Sequence, residues 1–156
     1  MKNKSKILKT APIVFFILAT IYIWIWYLAK SITHQDKICY SDTCFVVEIA
    51  DTNEKRQIWL MNRESMSLDR GMLFIFPDSK KHNFWMKNTL IPLDIIRINS
   101  DHKIVDIKTS QPCYEQTCPI YTPKFEANYV LEINAWIFQK ENIQIWDVLE
   151  FKVKGL

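Results

Sequence analysis

Two apolar runs, Met72–Phe76 and Leu90–Ile98, stand on either side of a polar break and a Phe84-Trp85-Met86 plug. Their boundaries define them as strands. Gly71 opens the first, where a positive φ or a close backbone approach would favour glycine, and Pro77 ends it. Pro92 fixes the entry to the second strand, Leu93–Asn99, since proline is tolerated at the first residue of a strand but not inside it. The rest of the chain has to be built around this pair.

The same reading extends in both directions. Ile38 to Ala50 is expected to form a hairpin, turning at Ser41-Asp42-Thr43, with the β-rich Cys44–Ala50 as its second arm. Asp51 or Thr52 is placed to cap a short helix over Asn53–Asn62, with Glu54 at the capping-box offset from Asp51. That helix would turn Ile58 and Met61 or Met66 inward. Further short strands are expected at Phe84–Met86 and Lys103–Lys108. A long proline-stiffened loop, Thr109–Lys124, follows. Asn128–Ala135 alternates most cleanly, with Tyr129, Leu131, Ile133 and Ala135 on one face and Val130, Glu132 and Asn134 on the other. One or two helical turns over Trp136–Asn142 and a closing strand over Asp147–Val153 complete the set. Six or seven short strands with one or two short helices give a mostly β fold, α+β at the margin, arranged as a compact β-sandwich or small barrel.

The first 36 residues are of a different kind. Pro12–Ala29 carries no charge over 18 residues, close to the ~20 that span a bilayer as a helix. The competing reading is a cleaved signal peptide, but Tyr27 stands where a small residue would precede the cleavage site. Lys2, Lys4, Lys6 and Lys9 precede the run, and Tyr22, Trp24, Trp26 and Tyr27 crowd its far end, as the positive-inside rule and an aromatic belt require. The expected organisation is a cytoplasmic basic tail (1–11), a single-pass anchor (12–29), a tether (30–36) and an extracytoplasmic β domain (37–156). The membrane would then be one partner, through the N-terminal helix. Residues 31–156 hold 15 Lys and Arg against 17 Asp and Glu, which argues against a nucleic-acid footprint.

Cys39 and Cys44 form one C-x-x-x-x-C pair, and Cys113 and Cys118 another. Local pairing closes two short loops, each worth about 2 kcal/mol on the chain-entropy model, although four cysteines allow three connectivities. Four thiolates could instead hold zinc, but the spacing is loose and no histidine is interleaved. The C-x-x-C spacing of redox motifs is missing. No metal or cofactor is expected.

Four phrases in order, Trp59–Arg63 (WLMNR), Arg70–Phe76 (RGMLFIF), Phe84–Ile95 (FWMKNTLIPLDI) and Tyr129–Ala135 (YVLEINA), resemble the family known as domain of unknown function 192. The third phrase is the most specific, and the likeness spans roughly residues 44 to 153. The resemblance implies a compact, mostly β domain and carries no established activity. Two positions depart from the family pattern, Trp136 and Trp146, where its members tend to have glycine.

Candidate chemistry gathers around the central phrase. Asp94 shares an apolar strand face with Ile96 and Ile98, so its carboxylate needs a partner or a shifted pKa. It reads either as a working carboxylate or as half of an ion pair with Arg63 or Lys87. Trp85 beside Lys87-Asn88-Thr89 could stack a sugar or hold an anionic ligand. Arg63 offers a planar fork to a carboxylate or phosphate. Glu132 is most simply solvent-facing. The leading expectation is a module that binds an envelope ligand or protein through Arg63, Trp85, Lys87, Asn88 and Asp94. The alternatives are a small hydrolase using Asp94 with Glu132 or Lys87, and a structural accessory whose polar groups only fix the fold.

Overall fold

The structure is a computed structural model that describes residues 14–26, 35–58 and 60–156. Residues 1–34 and 35–156 are separate compact units. In the first unit, helix α1 is described over residues 14–26. Among the described residues no helix is long and apolar enough to cross a membrane. The expected single-pass anchor over 12–29 is corrected on this ground, and with it the transmembrane helix in the fold class and the single-pass localisation. The basic tail 1–11, both ends of the expected anchor and most of the tether lie outside the described residues.

The second unit is mostly β. Its strands are β1 (Lys37–Tyr40), β2 (Thr43–Ala50), β3 (Arg70–Lys80), β4 (Phe84–Trp85), β5 (Leu93–Ile98), β6 (Ile104–Ser110), β7 (Ile120–Tyr121), β8 (Ala127–Asn134) and β9 (Glu150–Lys152), with short helices α2 (Asn53–Ile58) and α3 (Ile137–Lys140). Seven strands form one sheet in the order β6-β5-β8-β3-β2-β1-β9, and β4 pairs with β7 in a second, small sheet. The architecture is a half-barrel rather than a two-sheet sandwich. The chain ahead of β9 bonds back to the start of β6, through Ile104 N–H to Asp147 O at 2.9 Å and Trp146 N–H to Ile104 O at 2.8 Å. Residues from strands as far apart as β1 and β6 therefore meet in one cluster, with Ile38, Phe45, Leu73, Ile96, Ile104 and Leu131 filling the concave side. Ile137 of α3 joins them.

The convex side is buried as well. Met72, Phe74, Leu93, Ile95 and Val130 pack there against Leu60, Met86, Ile91 and the Cys113–Cys118 loop. All six residues of β5 are buried in consequence. Gly71 lies tight against β8: a Cβ there would come within 2.7 Å of the Glu132 carbonyl oxygen and 2.9 Å of Ile133 Cγ2. Close approach is thus the reason for this glycine.

Several local expectations shift. Thr52 is the cap of α2, accepting the Lys55 N–H at 3.3 Å, and the helix stops at Ile58, which is 66% exposed rather than inward. Strand β3 runs through Pro77 to Lys80 with a register shift after Ile75, since a bulge removes the need for the missing proline N–H. Trp136 and Trp146 hold φ of 66° and 80°, so the turns survive without glycine at a backbone cost. Both expected disulfides form, and Cys39 and Cys44 face each other directly in the β1–β2 register.

Candidate functional site

Strand alternation decides which side chains reach the convex face. Glu132 is paired with Met72 on β3 and Ile95 on β5, both convex residues. It therefore points outward from the half-barrel, but into the covering layer and not into water, and is only 5% exposed. Glu132 lines a cleft of about 200 Å³. The floor and apolar wall are Phe74, Phe76, Phe84 and Leu60; the rim carries Asn53, Arg56 and Gln57 of α2 and Asn83, Trp85 and Lys87 of the β4 segment.

The cleft walls are held from behind. The β4 segment is fixed by β7, through Phe84 opposite Tyr121 and Trp85 opposite Ile120, and by a bridge from Lys87 to Cys113. The Cys113–Cys118 loop therefore supports the wall that carries Trp85. Trp85 is 50% exposed, and the Lys87 ammonium lies 5.4 Å from its ring centroid. On the opposite wall, Arg56 spends its guanidinium on the carbonyls of Asp51 (2.8 Å) and Ile75 (2.7 Å) and on Asn53 Oδ1 (2.6 Å). Its carbon sits 5.2 Å from the Phe76 centroid. Beneath Phe84 lies Arg97, 1% exposed, with Nη2 donating to Tyr121 O at 3.0 Å and Nη1 3.4 Å from Asp106 Oδ2. Its Nε has no partner among the described residues.

The electrostatics single out Glu132. No hydrogen bond or ion pair joins its carboxyl to any described residue. Burial pushes its pKa up to about 8, and the attraction of Arg97 offsets that only in part. Below that value the group is mainly an uncharged acid, able both to donate and to accept a hydrogen bond. Burial acts on Arg97 in the opposite sense and lowers its pKa.

The residues expected at one site are divided. Trp85 and Lys87 line the cleft. Asn88 sits in the adjoining turn at φ 57°, its carbonyl accepting the Asn62 N–H at 2.7 Å. Arg63 grips Glu48 through both carboxylate oxygens, at 2.7 and 2.6 Å, and this bonding raises its pKa further. Glu48 is paired with Met72, which is paired with Glu132, so the Arg63–Glu48 pair is about 10 Å from Glu132 at ordinary strand spacing. Asp94 lies on the opposite, concave face. It is fully buried and accepts from Thr109 Oγ1 at 2.7 Å and from the Phe138 N–H at 3.2 Å. Its partners are thus neither Arg63 nor Lys87. Arg56 and Arg97 were not expected here, and Glu132 was expected to face solvent or to work beside Asp94 in the hydrolase alternative. The signal for them was β5, which carries apolar residues on both faces, Leu93 and Ile95 on one and Ile96 and Ile98 on the other, as a sheet covered on both sides does.

A half-barrel β domain with an aromatic cleft that Glu132 lines on its convex face is the class that the fold defines. Residues 36–151 match the family model DUF192, described as Uncharacterized ACR, and the chain belongs to that family. It is 32% identical over 120 residues to a UPF0127 protein of Thermococcus gammatolerans, covering 70% of this chain and 72% of that one. A UPF0127 protein of Thermococcus sibiricus is 29% identical over 113 residues, covering 69% and 67%. Two crystal structures share the fold at a TM-score of 0.65. One, from Sinorhizobium meliloti 1021, is described as a candidate transcription regulator and is 31% identical over 75% of this chain and 93% of its own. The other, a protein of unknown function from Novosphingobium aromaticivorans, is 28% identical over 74% and 83%.

Proposed function

We propose that this domain is a binding module for a small polar ligand, taken up in the cleft between α2 and the β4 segment. The observation that carries this reading is Glu132, a nine-tenths buried carboxyl that lines the cleft and has no partner among the described residues. Because Glu132 lines the cleft, its oxygens are left to whatever fills it, and an occupant that covered them without hydrogen-bonding them would incur about 1–3 kcal/mol on protein scales, whereas a purely structural carboxyl has its partners inside the fold, as Asp94 does. Hydrolysis by a pair of carboxylates is not supported. Asp94 and Glu132 project from opposite faces of the sheet and cannot flank one bond, and Glu132 is the one carboxylate among the described lining residues.

The test is thermal unfolding of the full chain against a collection of small polar compounds near neutral pH. A ligand at a hundredfold excess over its Kd stabilises by about 2.7 kcal/mol. Such a ligand should be found, and its effect should vanish in Glu132→Leu and Trp85→Ala. A collection without a stabilising compound, or one that stabilises both variants as much as the parent, would sink the reading.

A further inference from the structure

We propose that the ligand is a saccharide, its apolar ring face packed on Trp85 and its hydroxyls bonded to Glu132 and to the side-chain amides of Asn53, Gln57 and Asn83. This rests on the binding-module reading and names the chemistry of its ligand.

Each competing class meets an obstacle in the cleft. A cation would face Arg56 and Lys87 at the rim and Arg97 beneath the floor. An anion would find the cationic donors partly used: three of the five N–H hydrogens of Arg56 go to two carbonyls and to Asn53, and the Lys87 ammonium lies over the Trp85 ring. An apolar ligand would seal Glu132 away from water without a partner, at the penalty already described.

What remains is a neutral, hydroxyl-rich molecule with an apolar face. The cleft provides for both halves. Trp85 gives a half-exposed aromatic surface next to Phe84 and Phe76. Neutral Glu132 both donates and accepts, as a hydroxyl does. Gln57 and Asn83 are exposed at the rim and make no side-chain hydrogen bond to a described residue. Asn53 uses its oxygen on Arg56 and keeps its amide hydrogens. Side-chain amides pair naturally with vicinal hydroxyls, each offering a donor and an acceptor a short distance apart.

The experiment is calorimetric titration of the full chain with glucose, galactose, N-acetylglucosamine and their disaccharides. Inorganic phosphate, citrate and putrescine serve as the anionic and cationic probes. At least one saccharide should bind. Trp85→Ala and Glu132→Leu should each weaken it by about tenfold or more, the scale of one lost aromatic or buried polar contact. Trp85→Phe and Glu132→Gln keep the aromatic face and the neutral polar group, and should stay within about threefold of the parent, less than 1 kcal/mol. Binding of phosphate, citrate or putrescine with the same Trp85 and Glu132 dependence, and of no sugar, would overturn the saccharide assignment and leave the binding module standing. If no sugar bound and the broader collection also held no Glu132-dependent ligand, both would fall.

Discussion

Asp94 and Glu132 sit on adjacent strands one residue out of register, and their surroundings differ in nearly every respect. Asp94 faces the concave core and is fully buried, yet each carboxylate oxygen accepts a hydrogen bond. Thr109 holds it from β6, and the Phe138 amide ties it to α3, the helix whose Ile137 packs into the concave core. Glu132 faces the convex layer, is nearly as buried, and is without a partner among the described residues. Burial alone therefore does not separate a structural carboxyl from a working one. The separation comes from whether the fold supplies the hydrogen bonds or leaves them to something else.

The largest effect is expected at Asp94. Asp94→Ala empties a fully buried carboxyl site and strands the partly buried Thr109 hydroxyl and Phe138 N–H, and should cost about 3–5 kcal/mol in urea unfolding. A loss under about 1 kcal/mol would dissolve the contrast. Glu132→Gln should act in the opposite sense. The folded-state pKa of Glu132 is raised from 4.5 to about 8, so between those values the native state holds a proton that the unfolded state has released. Stability contributed by the protonated group is complete below 4.5 and is lost as the pH rises through about 8. The slope is at most about 1.4 kcal/mol per pH unit. Arg97 of β5, Arg56 of α2 and Lys87 of the β4 segment are the charged groups nearby, and the attraction of Arg97 holds the folded-state pKa lower than burial alone would, which narrows the pH window rather than changing the slope. Glu132→Gln should flatten this part of the profile and make the protein more stable than the parent above about pH 8. Equal slopes in parent and variant would show that Glu132 is solvated.

Smaller effects sharpen the same comparison. Arg63→Ala removes a bidentate pair whose side chains are 31% and 26% exposed. It should cost about 1 kcal/mol, the upper end for pairs open to solvent, and should leave the pH profile of Glu132 in place. A shift in that profile would place Arg63 in the cleft after all. Lys87→Ala should change stability least, within about 0.5 kcal/mol, because its stacking on Trp85 faces solvent. A larger loss would make Lys87 part of the wall rather than of the rim.

Much of this was legible along the chain. The strands of the hairpin, of the central phrase and of Ala127–Asn134 follow from local propensity and turn residues, and the short cysteine spacings closed as local pairs. The choice of Trp85 and Lys87 as cleft residues came from a polar turn beside an aromatic. The sequence misled at Glu132 for a physical reason. Alternation along β8 shows that Glu132 opposes Leu131 and Ile133, but not that its own face is covered by α2, the β4 segment and a disulfide loop. The uncharged run near the N-terminus misled differently: hydropathy counts apolar residues, while spanning requires a helix of sufficient length, which the described residues do not contain.

The sequence by itself determined the strand content, the central glycine and the family, because these rest on local conformational preference and residue order. Only the tertiary structure decided which carboxyl is satisfied. Thr109 and Phe138 lie 15 and 44 residues from Asp94, and the cleft around Glu132 is assembled from α2, β3 and the β4 segment. Hydrogen bonds between distant segments depend on strand order and sheet curvature, which no local window of residues encodes.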